Sequence, residues 1–348
     1  MLLAASIVLT AFVLIFMTPL LKILGAEGEI LRLGEEYIRI IAFGTVLQVI
    51  GTGLIPLIRN NGGAMFAMAA MVLGFLTNIL LDYLFVWVYG WSTGGAAWAT
   101  IIGQGAAMTA GVGYLLYKKQ MTFRIASDRM GNAAKHIISI GLAPFGLALT
   151  PNFSLIFINR FSVMYGGEQA VAVYACIAYI ITIVYLVLQG VGDGIQPLMS
   201  EYYGAKKEKE LHRANVFAYA FSLSLSAVSI VILYFFREET GVLFGASGAV
   251  TEEVAAVFPI FLLAVPFIAV NRVTTASFYA TEKSGFSYIL TYVEPAVMLV
   301  LMLILPPFFG GQIMIWWSAT IARIFSAVIA AVLKFYLMKK DGYGRISE

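Results

Sequence analysis

The chain has 348 residues, of which 61% are hydrophobic and 12% charged, with a formal net charge of +3 and a mean hydropathy of +0.89. A soluble chain of this size is about a quarter charged, and apolar surface left in water forfeits roughly 25 cal/mol per Å². A single cysteine, Cys176, excludes an intrachain disulfide, and with only His136 and His212 beside it a Cys/His zinc cluster is excluded too.

In chain order, apolar stretches at 3–21, 37–57, 64–89, 95–117, 136–158, 170–192, 214–236, 254–278, 286–306 and 312–336 each reach the length that crosses about 30 Å of hydrocarbon as a helix. They predict an all-α integral membrane protein of about ten transmembrane helices. The opening MLLAASIVLTAF lacks a basic n-region and reads as the first helix rather than a cleaved leader. Positive charge falls on alternate links. Lys118, Lys119, Arg124, Arg129 and Lys135 occupy one, Lys206, Lys207, Lys209 and Arg213 another, and Lys339, Lys340 and Arg345 the tail. Two of the intervening links are acidic on balance, with Glu27, Glu29, Glu35 and Glu36 in one and Glu238, Glu239, Glu252 and Glu253 in the other. The excess of Lys and Arg places both termini in the cytoplasm of a cell-membrane protein. The basic link at 118–135 is a solvated loop under the same rule, and nothing beyond its charge points to nucleic acid.

Polar groups inside apolar spans are costly unless they face a partner or a cavity. Asn78 and Asp82, in TNILLDYLF, lie four residues apart and so share one helical face. Thr100 opens the next span across a short link, and Gln104 follows one turn further in. A carboxylate, an amide oxygen and a hydroxyl suit Na⁺, Asp82 alone suits a proton, and a structural knot of hydrogen bonds between two helices is the alternative. Pro144 and Pro151, in GLAPFGLALTPNF, are expected to break the fifth span beside Asn152, and Pro259 and Pro266 to break the eighth next to Asn271. Broken helices lining a cavity are where transporters bind ligands and bend. Arg39, Arg272 and Arg323 lie in or at the edge of spans, and Glu294, before Pro295, is placed to pair with Arg272 or Arg323. These read either as internal salt bridges or as substrate and gating groups. Gln189, Asp193 and Gln196, in QGVGDGIQP, read as a structural cap or gate near the cytoplasmic end of span six. No nucleotide-binding loop, catalytic-triad spacing, metal motif or selectivity-filter signature is present, so the chain is not expected to be an enzyme, and no cofactor is expected.

A shift of 220 residues carries LGAEG at 24–28 onto FGASG at 244–248, Gly90 onto Gly310, and WAT at 98–100 onto SAT at 318–320, and superposes spans one to four on spans seven to ten. The expected organisation is a four-helix first bundle at 1–117, a cytoplasmic linker at 118–135, a six-helix second bundle at 136–338 and a tail at 339–348. Two such copies point the same way through the membrane, as parallel transporter repeats do. On this reading the first copy lacks two helices that a twelve-helix protein would carry.

GLIPLIRNNGG at 53–63, the Asn78-x₃-Asp82 pair, GGAAWAT at 94–100 and QGVGDGIQPLMSEYYGAKK at 189–207, taken in order, resemble the multidrug and toxic compound extrusion (MATE) family, in particular its small bacterial drug exporters. The resemblance covers essentially the whole chain. It implies two pseudo-symmetric helical bundles around a cleft, and export of amphipathic organic cations by antiport with Na⁺ or H⁺. It also implies a coupling site at Asn78, Asp82 and Thr100, completed in the family by an aspartate from a first helix that has no counterpart here. Gln104, Pro144, Asn152, Asn271, Arg272, Glu294 and Arg323 are the substrate or gating candidates. The implied partners are the lipid bilayer and small organic cations. A monomer is expected for the full-length fold, with association left open for a chain lacking two helices. A lipid-linked sugar flippase of related fold and a non-transporting remnant are the other readings.

Overall fold

Hydrocarbon supplies no partner for a backbone N–H or C=O, so each apolar stretch satisfies its own polar groups by coiling into a helix. The computed structural model describes residues 2–23, 28–120 and 130–340, and among them every regular element is helical. The chain divides into two compact units, Met1–Ala134 and Lys135–Glu348.

The first unit contains α1 (Leu2–Ile23), α2 (Gly28–Asn60), α3 (Ala64–Asp82) and α4 (Ser92–Tyr117), with α3 continuing into a π-helical turn at Tyr83–Val88. α4 packs against both α2 and α3, and α1 packs on α2. Small residues make these approaches close, as is usual where lipid removes the hydrophobic drive between helices. A Cβ built on Gly44 of α2 would run into the Ile101 side chain of α4. On the other flank of α4, a Cβ on Gly103 would lie 2.7 Å from the Gly74 carbonyl oxygen of α3. Thr10 Oγ1 donates to the Ala42 carbonyl at 3.0 Å and Thr18 Oγ1 to Glu35 Oε1 at 2.5 Å, tying α1 to α2 with polar contacts. The remaining surface of α1, including Val8 and Ile15, is exposed.

The second unit contains α5 (Met130–Gly204), α6 (Glu208–Phe235), the short α7 (Thr240–Leu243), α8 (Gly248–Leu262), α9 (Val265–Ala280), α10 (Ser284–Phe309) and α11 (Gln312–Lys340). Its core joins Ile177 and Leu188 of α5, Phe258 and Phe261 of α8, Ile268 of α9, Met298 and Met302 of α10, and Ile315 and Trp316 of α11. α8 and α9 are bent by 43°. Pro266, in the first turn of α9, contributes no N–H to bridge the break.

Eight helices among the described residues are long and apolar enough to cross a bilayer, or nine when the bent pair α8–α9 forms one span. The expectation of ten differs because the fifth and sixth spans form one element. At 75 residues, α5 would run roughly 110 Å at 1.5 Å per residue, far more than one crossing. Gly167, at φ 65° and ψ −159°, divides it into limbs at 130–166 and 168–204. The expected breaks at Pro144 and Pro151 are therefore corrected. The backbone stays helical through both, and the interruption falls at the glycine, the residue that enters that backbone region without a Cβ penalty.

The 220-residue shift read from sequence reappears in the element boundaries. It carries the start of α2 onto that of α8, the end of α2 onto that of α9, and the starts of α3 and α4 onto those of α10 and α11. Gly90 and Gly310 both have positive φ, and so do Gly62 and its equivalent Glu282. The turn bonds match as well: Gly63 N–H donates to the Ile58 carbonyl at 2.9 Å, and Lys283 N–H to the Phe278 carbonyl at 2.9 Å.

Candidate ion-coupling site

The approach of α3 to α4 fixes where the sequence-predicted site residues stand. A Cβ on Gly74 would lie 3.0 Å from Ala107 Cβ, one on Gly103 lies 2.9 Å from Asn78 Cβ, and one on Gly95 lies 3.0 Å from Phe85 Cβ. These contacts step along two antiparallel helices, and the register they define sets Asp82 level with Ala99 and Thr100. Asn78, Asp82, Thr100 and Gln104 are all half-buried. Thr100 Oγ1 donates to the Ala96 carbonyl of its own helix at 2.9 Å, which leaves its oxygen lone pairs available. Asp82 Oδ1 and Asn78 Nδ2 are buried and have no hydrogen-bond partner. A buried polar atom left unpaired costs about 1–3 kcal/mol, so the α3–α4 seam holds a polar spot that its own side chains do not satisfy. A carboxylate, a hydroxyl and an amide oxygen are donors that suit a hard monovalent cation, and the carboxylate alone suits a proton.

Asp82 is also the last residue before the π-helical turn at Tyr83–Val88. π-turns often accompany functional positions, and this one widens the helix where the carboxylate emerges. Tyr89 N–H reaches the Leu84 carbonyl at 2.9 Å and Trp91 N–H the Phe85 carbonyl at 2.8 Å. Phe85 stacks on Trp91 with ring centroids 4.8 Å apart.

Two groups near this end of α4 were not singled out from sequence. Thr93 Oγ1 is buried without a partner, and Glu36 Oε1 of α2 approaches Gly94, where an added Cβ would lie 2.6 Å from it. The paired glycines at 94–95 were the available signal, since a helix start stripped of side chains lets a carboxylate approach its positive end.

In the second unit the candidates fall into three contacts. Arg272 Nη1 donates to Gln189 Oε1 at 3.2 Å, Gln189 Nε2 donates to Asp193 Oδ1 at 2.8 Å, and the Arg272 guanidinium lies 3.9 Å from the Tyr185 ring centroid. Glu294 pairs with Arg323 rather than Arg272, Arg323 Nε donating to Oε1 at 3.4 Å with both side chains about nine-tenths buried. Asn271 Nδ2 donates to Ser326 Oγ at 2.7 Å. Arg272 Nε, Arg323 Nη1 and the Tyr185 hydroxyl remain buried without partners. Asn152 is not in this group: it is exposed and donates to the Ala148 carbonyl of its own helix at 3.3 Å. The side chain of Pro144 lies outside the described residues. Among the described residues, no group of three or more His, Cys, Asp or Glu side chains is arranged to hold a metal ion.

A family model described as MatE matches residues 1–84 and 144–304. The multidrug export protein MepA of Staphylococcus aureus (strain N315) is 22% identical over 341 residues, covering 97% of this chain and 74% of that protein. Among solved structures, the outward-facing conformation of a multidrug resistance MATE family transporter of the MOP superfamily superposes with a TM-score of 0.85 at 22% identity, over 97% of this chain and 78% of that one. A MATE in complex with MaL6 superposes with a TM-score of 0.81 at 23% identity, over 97% and 78%.

Proposed function

This chain belongs to the MatE family, and from that premise we propose that it is a secondary transporter exporting amphipathic organic cations in exchange for Na⁺ or H⁺. The multi-pass helical fold is that of a transporter family and not of an enzyme. The observation that carries the coupling half of the proposal is the buried, unpartnered Asp82 Oδ1, set level with Thr100 on the α3–α4 seam. A carboxylate held in a membrane without a counter-ion is stabilised by binding a cation or a proton and destabilised by releasing it. That alternation is what couples an ion gradient to a conformational change, because an ion shifts an equilibrium only by its difference in affinity for the two states.

The export half rests on the resemblance to MepA, whose name describes multidrug export, and on the solved MATE bound to MaL6. The polar contacts of α9 and the break before it supply the gating groups: Asn271 and Arg272 lie one to two turns beyond Pro266, and Glu294 and Arg323 brace α10 against α11. The lipid-linked sugar reading calls for a strongly basic cleft. The two arginines that would serve it in the second unit are engaged internally, Arg272 by Gln189 and Tyr185 and Arg323 by Glu294. Cytoplasmic termini follow from the excess of Lys and Arg on the 118–135, 206–213 and 339–345 segments.

The test is efflux of ethidium from proteoliposomes under an imposed Na⁺ gradient, an imposed pH gradient, or neither. Efflux under one gradient and not without it identifies the coupling ion. Equal efflux in all three conditions rules out coupled antiport.

A further inference from the structure

Lys334 lies one turn before Leu337, where the apolar stretch of α11 ends. A lysine at that depth ordinarily extends its ammonium outward to the headgroups. Here it turns into the second unit, donating to Asn215 Oδ1 of α6 at 3.0 Å and to Ser277 Oγ of α9. Both acceptors are neutral. The ammonium borders a cavity of about 270 Å³, and none of the ten side chains that line it is acidic. Lys283 and His212 supply two further basic groups to its wall, while Leu211, Val216, Phe278 and Leu337 make its apolar part. A desolvated ammonium with only neutral partners in an apolar cavity is costly, and an anion carried on an apolar body would offset that cost.

The position of the cavity selects the anion. Its walls come from the start of α6, the end of α9, the link from α9 to α10 and the end of α11. The same end of the unit carries Lys206, Lys207, Lys209, Arg213 and Lys339. Val216 and Phe217 of α6 and Phe335 of α11 are exposed beside it, a surface for acyl chains. Basic pockets between membrane helices on the positively charged side hold phospholipid headgroups. We propose that this cavity is a binding site for the phosphate of an anionic phospholipid, with Lys334 as the phosphate ligand, Lys283 at the rim and an acyl chain along α6. The site is separate from the α3–α4 seam, and its occupancy can be read without any transport activity.

The test is native mass spectrometry of the delipidated full chain offered equimolar phosphatidylglycerol and phosphatidylcholine. The expected result is one retained phosphatidylglycerol, preferred by roughly tenfold, the factor that about 1.4 kcal/mol of charge-assisted hydrogen bonding supplies. Lys334→Gln removes the preference and Lys334→Arg keeps it. If Lys334→Gln does not fold, Lys283→Gln at the rim reads the same site and lowers the preference several-fold. Equal retention of both lipids by the unaltered chain, or an unchanged preference in every Gln variant that folds, overturns the proposal. Displacement of the lipid by equimolar inorganic phosphate identifies a free anion as the ligand and overturns the lipid assignment.

Discussion

The ionisable side chains inside the bilayer divide into those with partners and those without. Glu294 and Arg323 face each other with about one tenth of each side chain exposed, and breaking such a pair leaves an uncompensated charge. Glu294→Leu is expected to destabilise the folded protein by about 3–5 kcal/mol, whereas Glu294→Leu with Arg323→Met is expected to recover most of that loss. Thermal unfolding in detergent checks both, and a double variant no more stable than the single one would show that the pair does not govern the loss. Sequence spacing was enough to put Asn78 and Asp82 on one face and to nominate Glu294 as an arginine partner. It did not choose between Arg272 and Arg323, because that depends on how three helices rotate against one another. Nor did it reveal Thr93 or Glu36, whose relevance comes from the bare start of α4.

At the level of helices, membrane length and composition were legible because hydrocarbon imposes one solution on every apolar stretch. The limit of that reading lies in α5. Proline was expected to interrupt it, but the helix runs through Pro144 and Pro151 and breaks at Gly167, since a membrane helix re-satisfies the carbonyl that a proline leaves free. The repeat was more legible than any one element. Glu282 takes a positive φ of 59°, like its equivalent Gly62 at 80°, so the turn geometry is kept where the residue is not glycine. Close packing of α3 on α4 is what sets Asn78 beside Gly103 and Asp82 in register with Thr100. Gly103→Val adds a side chain where even a Cβ meets the Gly74 carbonyl at 2.7 Å. It is expected to cost about 1–3 kcal/mol and to lower gradient-driven efflux in step with the loss of packing. Wild-type efflux from Gly103→Val would detach the seam from function.

Over the whole molecule, each unit carries one part of the transport reading. The first holds the unsatisfied carboxylate, and the second holds the bent α8–α9 pair and the arginine contacts. The family was legible from short motifs spread along the chain, because those motifs sit where helices touch or end: 53–63 closes α2, 94–100 opens α4, and 189–207 spans the end of α5. The ion was not legible, since a set of hard oxygen donors does not select between Na⁺ and H⁺, and no motif along the chain specifies the exported compound. On this reading the carboxylate of Asp82 converts an ion gradient into export. The most direct measurement compares the unaltered chain with Asp82→Asn in proteoliposomes, recording both gradient-driven ethidium efflux and ethidium exchange with no gradient imposed. Asp82→Asn is expected to lose at least tenfold of the gradient-driven rate, corresponding to about 1.4 kcal/mol of coupling, and to keep the exchange. Gradient-driven efflux at the unaltered rate in Asp82→Asn would show that this carboxylate does not couple the gradient to export.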